Sequence, residues 1–346
     1  MSLTNSPKVS PSQWLPLAVV FAVVYFFSMN GLGALPALAI NFLLKEKIGL
    51  APEQLAYFQA ITLLAWVVKP LWGMISDLFP LFGSRRKSYL VLSSLFAAVC
   101  WLILSFASAY TTTLLLVFIT LIYMAYAFQD VVTDGLMVET GQPLNMTGQF
   151  QSIQWTAVYI AMILTALAGG QVADFAQKGT LSYSALFLLT ALFPTLTAIV
   201  AFFMIKEPAR TRPGEKAVVS LREIFRHPGI WVLSFFLFLW NFSPSFGAPF
   251  FYYMVDTLGF SGSFLGALQA IASGGMLLGS ILYGFFFAKI PLKKFLFFSV
   301  LLGVSATLSY FVYFMPGITS QPFLLRRIAL TMNFFLGIAS AVIFLA

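Results

Sequence analysis

The sequence predicts an all-α protein that crosses a lipid bilayer many times. Three observations predict it: scarce charge, a ladder of long apolar runs, and an internal repeat. Of the 346 residues, 60% are hydrophobic and only 9% are charged. A soluble domain carries about a quarter charged residues. This chain cannot cover itself with a water-facing surface, so most of its exterior must meet lipid. The 39 Phe residues suit packing against acyl chains. A single Cys (Cys100) excludes a disulfide framework, and His227 is the one His. With no Cys/His cluster, neither a metal nor a cofactor is expected. The 19 Lys and Arg outnumber the 11 Asp and Glu, but they punctuate the apolar runs. That is topogenic charge and not a nucleic-acid surface. Met1–Trp14 shows no cleavable signal or transit peptide.

About 20 apolar residues span a bilayer. Ten runs qualify, at roughly 15–40, 54–76, 88–108, 112–135, 148–172, 182–205, 230–254, 263–288, 294–314 and 324–346. The loops are short except for 206–228, a basic stretch that predicts a cytoplasmic linker between an N-terminal half, 1–205, and a C-terminal half, 229–346. Counting Lys and Arg on alternate sides gives 13 on the side of the N-terminus and 5 opposite, with Lys69 inside a span. The positive-inside rule then places the N-terminus in the cytoplasm. Arg326 and Arg327 fall on the wrong side, so the last span is the least well supported.

The repeat has a common offset. Ile48–Leu50 with Tyr57–Ile61 parallels Leu258–Phe260 with Ala267–Ile271 at a spacing of 210. Asn30 and Asn241 match at 211, as do Trp72-Gly73 and Tyr283-Gly284. Two pseudo-symmetric six-helix halves are the plan of major facilitator transporters. On that plan the second half would extend about two helices past Ala346, so about ten of an expected twelve helices are present.

Ionisable residues inside spans carry the candidate chemistry, because they are costly there and usually face the bundle interior. Asp130 and Asp134 lie one turn apart, and with Tyr123 and Tyr126 they share one helical arc. Two carboxylates that resist joint ionisation suit proton coupling. The plainer reading ends the helix early and leaves both acids in a solvated loop. Glu139 points to the opposite side; a functional acid and a surface or packing acid both remain open for it. Lys69 lies at a depth similar to Asp130, so a pair is geometrically allowed, and an anionic substrate could open it. The alternative is snorkelling to the interface.

Asp77, Arg85, Arg86 and Lys87 belong to Gly73-Met-Ile-Ser-Asp77, Pro80 and Gly83-Ser-Arg85-Arg86-Lys87, between the second and third spans. Pro80 stops a helix, Gly83 permits a tight turn, and the cations can latch Asp77 as a gate. Topogenic charge alone is the plainer account of the triplet. Spans one and seven carry Asn30-Gly31 with Pro36, and Asn241 with Pro244 and Pro249. Interrupted helices at matching places point to a central substrate site. Asn30 and Asn241 are candidate substrate contacts on that reading, a mere proline kink being the plainer one. Trp66, a flat face for a planar ligand unless it simply meets lipid, and Tyr123 and Tyr126 on the Asp130 arc are candidates beside Lys69. No nucleotide loop or catalytic set appears, which argues against an enzyme.

The stretch from Lys69-Pro70 through Gly73, Asp77, Gly83 and Arg85-Arg86-Lys87 to Tyr89, with Gln129-Asp130-Val-Val-Thr-Asp134 and Glu139, resembles the folate–biopterin transporter family of the major facilitator superfamily. The similarity covers most of residues 25–140. The resemblance implies twelve helices, a folate or pterin substrate, proton symport, and a multi-pass protein of the plasma (inner) membrane or the plastid envelope. Related branches that carry muropeptides, acetyl-CoA or sugars are the nearest alternatives. A truncated, non-transporting membrane receptor or scaffold is a further one.

Overall fold

The computed structural model describes residues 11–28, 30–207, 226–241, 246–286 and 290–344. Among these the chain is helical, and its one β feature is an isolated bridge between Leu81 and Ser84. Helix α1 covers Pro11–Phe27 and α2 covers Ala37–Phe42, with a 3-10 turn at Leu32–Ala34 between them and a π turn at Leu43–Lys47 after them. Next come α3 (Pro52–Val67), α4 (Lys69–Leu78), α5 (Lys87–Ser105), α6 (Thr112–Leu144), α7 (Thr147–Gln177) and α8 (Tyr183–Met204). Beyond the linker are α9 (Pro228–Asn241), α10 (Gly247–Tyr252), α11 (Gly262–Phe285), α12 (Leu292–Ser309), α13 (Pro316–Thr319) and α14 (Pro322–Phe344).

Nine helices among the described residues are long and apolar enough to cross a bilayer, and Pro228–Trp240 is a shorter apolar helix. The seventh expected run, 230–254, is divided into α9 and α10, and residues 242–245 lie outside the description. Most of the 206–228 linker lies outside it too, as does the Asn241 side chain.

The first span is interrupted where Asn30, Gly31 and Pro36 suggested. At the break the N–H groups of Gly31 and Gly33 both donate to the Ser28 carbonyl. Thr165 on α7 donates to the Gly31 carbonyl at 3.2 Å. Backbone released inside a membrane is tolerated when neighbouring side chains satisfy it. A β-carbon on Gly31 would lie 2.1 Å from the Phe26 carbonyl oxygen, so the break needs glycine.

The second span, expected as one helix, kinks at Val68. Pro70 cannot donate to the preceding turn and its ring clashes with it. The Trp72 indole N–H bonds the Ala65 carbonyl at 3.1 Å, across the break. Lys69 therefore starts a new helix at a kink. The fourth span runs to Leu144, nine residues past its expected end. Asp130, Asp134 and Glu139 all lie within a helix.

The repeat is geometric as well as textual. The π turn at Leu43–Lys47 recurs at Tyr253–Thr257. Gly49 at φ 79° recurs as Gly259 at φ 65°. The helix starting at Pro52 recurs as the one starting at Gly262, again 210 residues on. The two repeats touch most closely where α7 crosses α11. There a β-carbon on Gly266 would lie 2.3 Å from the Ala166 carbonyl oxygen, and one on Gly170 would lie 2.6 Å from that of Gly262. Small residues let membrane helices approach this closely.

Candidate functional site

Lys69 and Asp130 form an ion pair, with Nζ 2.5 Å from Oδ2. The kink at Val68 brings α4 against α6, and the unbroken α6 carries Asp130 to the same depth. Asp130 is 13% exposed and Lys69 37%, so the carboxylate is sheltered while the amine keeps an open side. The Lys69 ammonium also sits 4.6 Å from the centre of the Trp66 ring. Trp66 Nε1 is buried and has no hydrogen-bond partner among the described residues. A buried donor without a partner is rare, and this one adjoins the paired charges.

Asp134 takes a different partner. Tyr25 on α1 is buried and donates to Asp134 Oδ1 at 2.5 Å. The two aspartates share one face of α6, but one is bound to α4 and the other to α1. Tyr25 escaped sequence reading because one Tyr among 13 in apolar surroundings carries no local signal.

At the far end of α4 the basic loop meets three acids. Arg86 Nη2 lies 2.7 Å from Asp77 and 2.8 Å from Glu139, and Arg85 Nη2 lies 3.4 Å from Glu139. Arg86 Nη1 donates to Ser76 at 2.7 Å. Gly135 makes room for the guanidinium, since a β-carbon there would lie 2.7 Å from Arg86 Cζ. Of the two readings of Glu139, the ion pairs with Arg85 and Arg86 favour more than a surface acid. The side of α6 opposite Asp130 faces the start of α5, so Glu139 meets both arginines. The Lys87 side chain takes another partner. Its ammonium lies 5.0 Å over the Phe202 ring.

The third acid, Glu207, follows α8 and was missed. Its carboxylate accepts from the Ser84 hydroxyl at 2.5 Å and from the N–H groups of Arg85, Arg86 and Lys87 at 2.9–3.0 Å. A carboxylate at a helix N-terminus satisfies donors the helix leaves open. Burial works to raise the Glu207 pKa, but these four donors bind the ionised form and hold it below the ordinary carboxylate value. With a depressed folded value, the contact stabilises the ionised protein at neutral pH and is lost as pH falls through that value. Glu207→Gln is therefore expected to melt lower than wild type at pH 7. The two melting curves should converge below about pH 4; a constant gap across that range would remove the carboxylate as the cause. All described partners of this cluster lie between α4 and the residues just after α8, so it ties the first repeat together.

Of the other candidates, Tyr123 is half-buried and lines a cavity of about 280 Å³. Tyr126 does not line it. That ring is fully buried behind Trp101, whose Nε1 donates to the Tyr126 hydroxyl at 3.4 Å. Asn30 is exposed on the turn after α1.

The two repeats are bridged chiefly near the end of the bundle that carries Lys45. Lys45 pairs with Asp256 at 2.6 Å, and Tyr252 donates to the Leu50 carbonyl. Phe42 and Phe251 meet edge to face at 5.2 Å. Asp174 accepts from the Ser263 backbone N–H at 3.0 Å and also from its hydroxyl. The Tyr159–Ser280 contact, at 3.1 Å, lies deeper.

A repeated helical bundle with paired charges inside it defines the class: a multi-pass integral membrane protein with the fold of solved solute transporters. Structures similar to it include the nucleoside transporter NupG, at TM-score 0.64 and 12% identity over 95% of this chain and 79% of that one. A D-xylose–proton symporter matches at TM-score 0.59 and 14% identity, over 96% and 80%. The BT1 family model matches residues 30–314, and the chain belongs to the BT1 family. A folate-biopterin transporter of Synechocystis sp. is 33% identical over 84% of this chain. Folate transporter 2 of Plasmodium falciparum is 28% identical over 92%. The chain spans 58% of the length of the first relative and 66% of the second.

Proposed function

We propose that this chain serves secondary active transport of folate- or pterin-type compounds by alternating access, coupled to protons. The Lys69–Asp130 pair carries the reading. A Lys inside a bundle, paired on one side and open on the other, offers an anionic substrate a cation whose existing partner can be displaced. Asp130 then becomes the group that gains a proton as Lys69 turns to the substrate. Asp134, held by Tyr25, is the second proton site one turn away. The names of the relatives support the substrate class. Trp66, Tyr123, Asn30 and Asn241 complete the proposed substrate contacts.

The halves are 1–205 and 229–346, joined by 206–228, and they rock about the central site. The end that carries Arg86 and Glu207 is the cytoplasmic one in this reading, as the positive-inside rule favours. Asp77, Arg85 and Arg86 brace that end. The contacts at the Lys45 end hold the opposite side closed. The test is uptake of labelled folate and of labelled biopterin into proteoliposomes, with and without an inward proton gradient. Saturable uptake that the gradient accelerates is expected. Uptake of neither compound, with uptake of a muropeptide, acetyl-CoA or a sugar, would replace the substrate class.

A further inference from the structure

The cavity that Tyr123 lines has a twin. Ile40, Asn41, Phe58, Gln59, Thr62 and Tyr123 line the first. The residues 210 positions on, Phe250, Phe251, Leu268, Gln269, Ala272 and Asn333, line a second of about 330 Å³. The fold thus makes the same hollow once in each repeat, and Gln59 and Gln269 occupy equivalent places on α3 and α11. The polar furniture is not equivalent. In the second hollow Asn41 is replaced by Phe251 and Thr62 by Ala272. There the Asn333 amide nitrogen is committed to the Tyr313 hydroxyl at 3.0 Å and the Ala329 carbonyl at 2.8 Å.

In the first hollow Gln59 Nε2 donates to Asn41 Oδ1 at 3.3 Å, across α3 and α2. That single bond leaves the Gln59 carbonyl oxygen, the Asn41 amide nitrogen and the Tyr123 hydroxyl without partners among the described residues. Thr62 and Trp101 are occupied, by the Gln59 backbone carbonyl and by Tyr126. What remains is an acceptor and a donor on adjoining helices, beside the rings of Trp101 and Tyr123. Pockets for drug-sized ligands run from about 300 Å³ to 1,000 Å³. A cavity of about 280 Å³ therefore holds one fused ring system and not a ring with a long tail.

We infer that Asn41 and Gln59, with Trp101 and Tyr123, form a subsite for a flat heteroaromatic ring that carries a donor and an acceptor side by side on one edge. A 2-amino-4-oxo-pteridine has that edge. This rests on the proposed substrate class and adds where the ring goes. Gln59 precedes Lys69 by ten residues along the second span, about 15 Å at 1.5 Å per residue. A ring held at Gln59 lets the carboxylates at the other end of folate extend towards Lys69. Biopterin, which has no carboxylate, uses the ring subsite alone.

The experiment is equilibrium binding of biopterin and of folate to the purified chain in detergent, followed by tryptophan fluorescence. Wild type is expected to show saturable quenching, and Trp101→Phe to lose part of that signal. Gln59→Met, close to isosteric and without the amide, is expected to weaken both ligands at least tenfold. Asn41→Leu, on the other helix, is expected to do the same and serves if the first variant does not fold. Wild-type affinity for both ligands in either folded variant overturns the subsite alone. Saturable quenching by neither ligand in wild type overturns the substrate class and the subsite with it.

Discussion

Asp130→Asn is expected to lower gradient-driven uptake by tenfold to more than a hundredfold, and Lys69→Met to do the same for folate. The basis is the 2.5 Å contact between two full charges inside the bundle. A hydrogen bond to a charged group contributes about 1.5–3 kcal/mol, and every 1.4 kcal/mol is a factor of ten. Either single change also strands the remaining charge, and an unpaired Lys or Asp at mid-membrane costs about 2.5–3.5 kcal/mol on insertion scales. Loss of uptake alone would therefore not separate transport from folding. The double variant Lys69→Met/Asp130→Asn does separate them, because it removes both charges and strands neither. It is expected to restore protein abundance in the membrane while leaving uptake at the level of the single variants. Wild-type uptake in the double variant would reduce the pair to a structural contact.

Arg86→Ala is expected to have the largest effect on stability. Arg86 is 7% exposed and holds Asp77, Glu139 and Ser76 with one guanidinium. Deleting one partner of a buried pair costs about 3–5 kcal/mol. Asp77 and Glu139 keep 37% and 32% of their side-chain surface exposed, so water relieves them in part and the lower end applies. A loss of that size corresponds to a fall on the order of 10 °C in the melting midpoint of the purified protein. Arg86→Lys should recover only part of the loss, because an ammonium cannot reproduce the planar fork that reaches three acceptors. Glu207 still caps α5 through backbone N–H groups in both variants, so the fall should leave the acid-dependent part of the curve in place. A midpoint for Arg86→Ala equal to wild type would show that the other contacts of the loop suffice.

The limits of sequence reading are visible in particular residues. That Asp130 and Lys69 lie at similar depth, and so can pair, was legible because depth follows from rise per residue and span direction. Pro70 signalled the kink that positions Lys69, yet a Pro in a membrane helix kinks it by an amount that neighbours decide. The two readings of Glu139 stayed open for a similar reason. Helical periodicity gives the angle between two side chains on one helix, but not which neighbour stands on either side. Tyr25 lies 109 residues from its partner, and Glu207 lies 120 to 123 residues from its own. No spacing rule spans that distance.

The sequence by itself determined the membrane-spanning helical class, the repeat near 210 residues, the interrupted first span and the identity of the few charges inside. Those features follow from composition and from the local geometry of a helix, which each segment carries alone. Only the tertiary structure decided the partner of each acid, the assembly of Glu207 onto the basic loop, and the amide edge left unpaired among the described residues in one of two matching hollows. A side chain's partner is fixed by how helices pack in three dimensions, and that depends on surfaces contributed from everywhere along the chain.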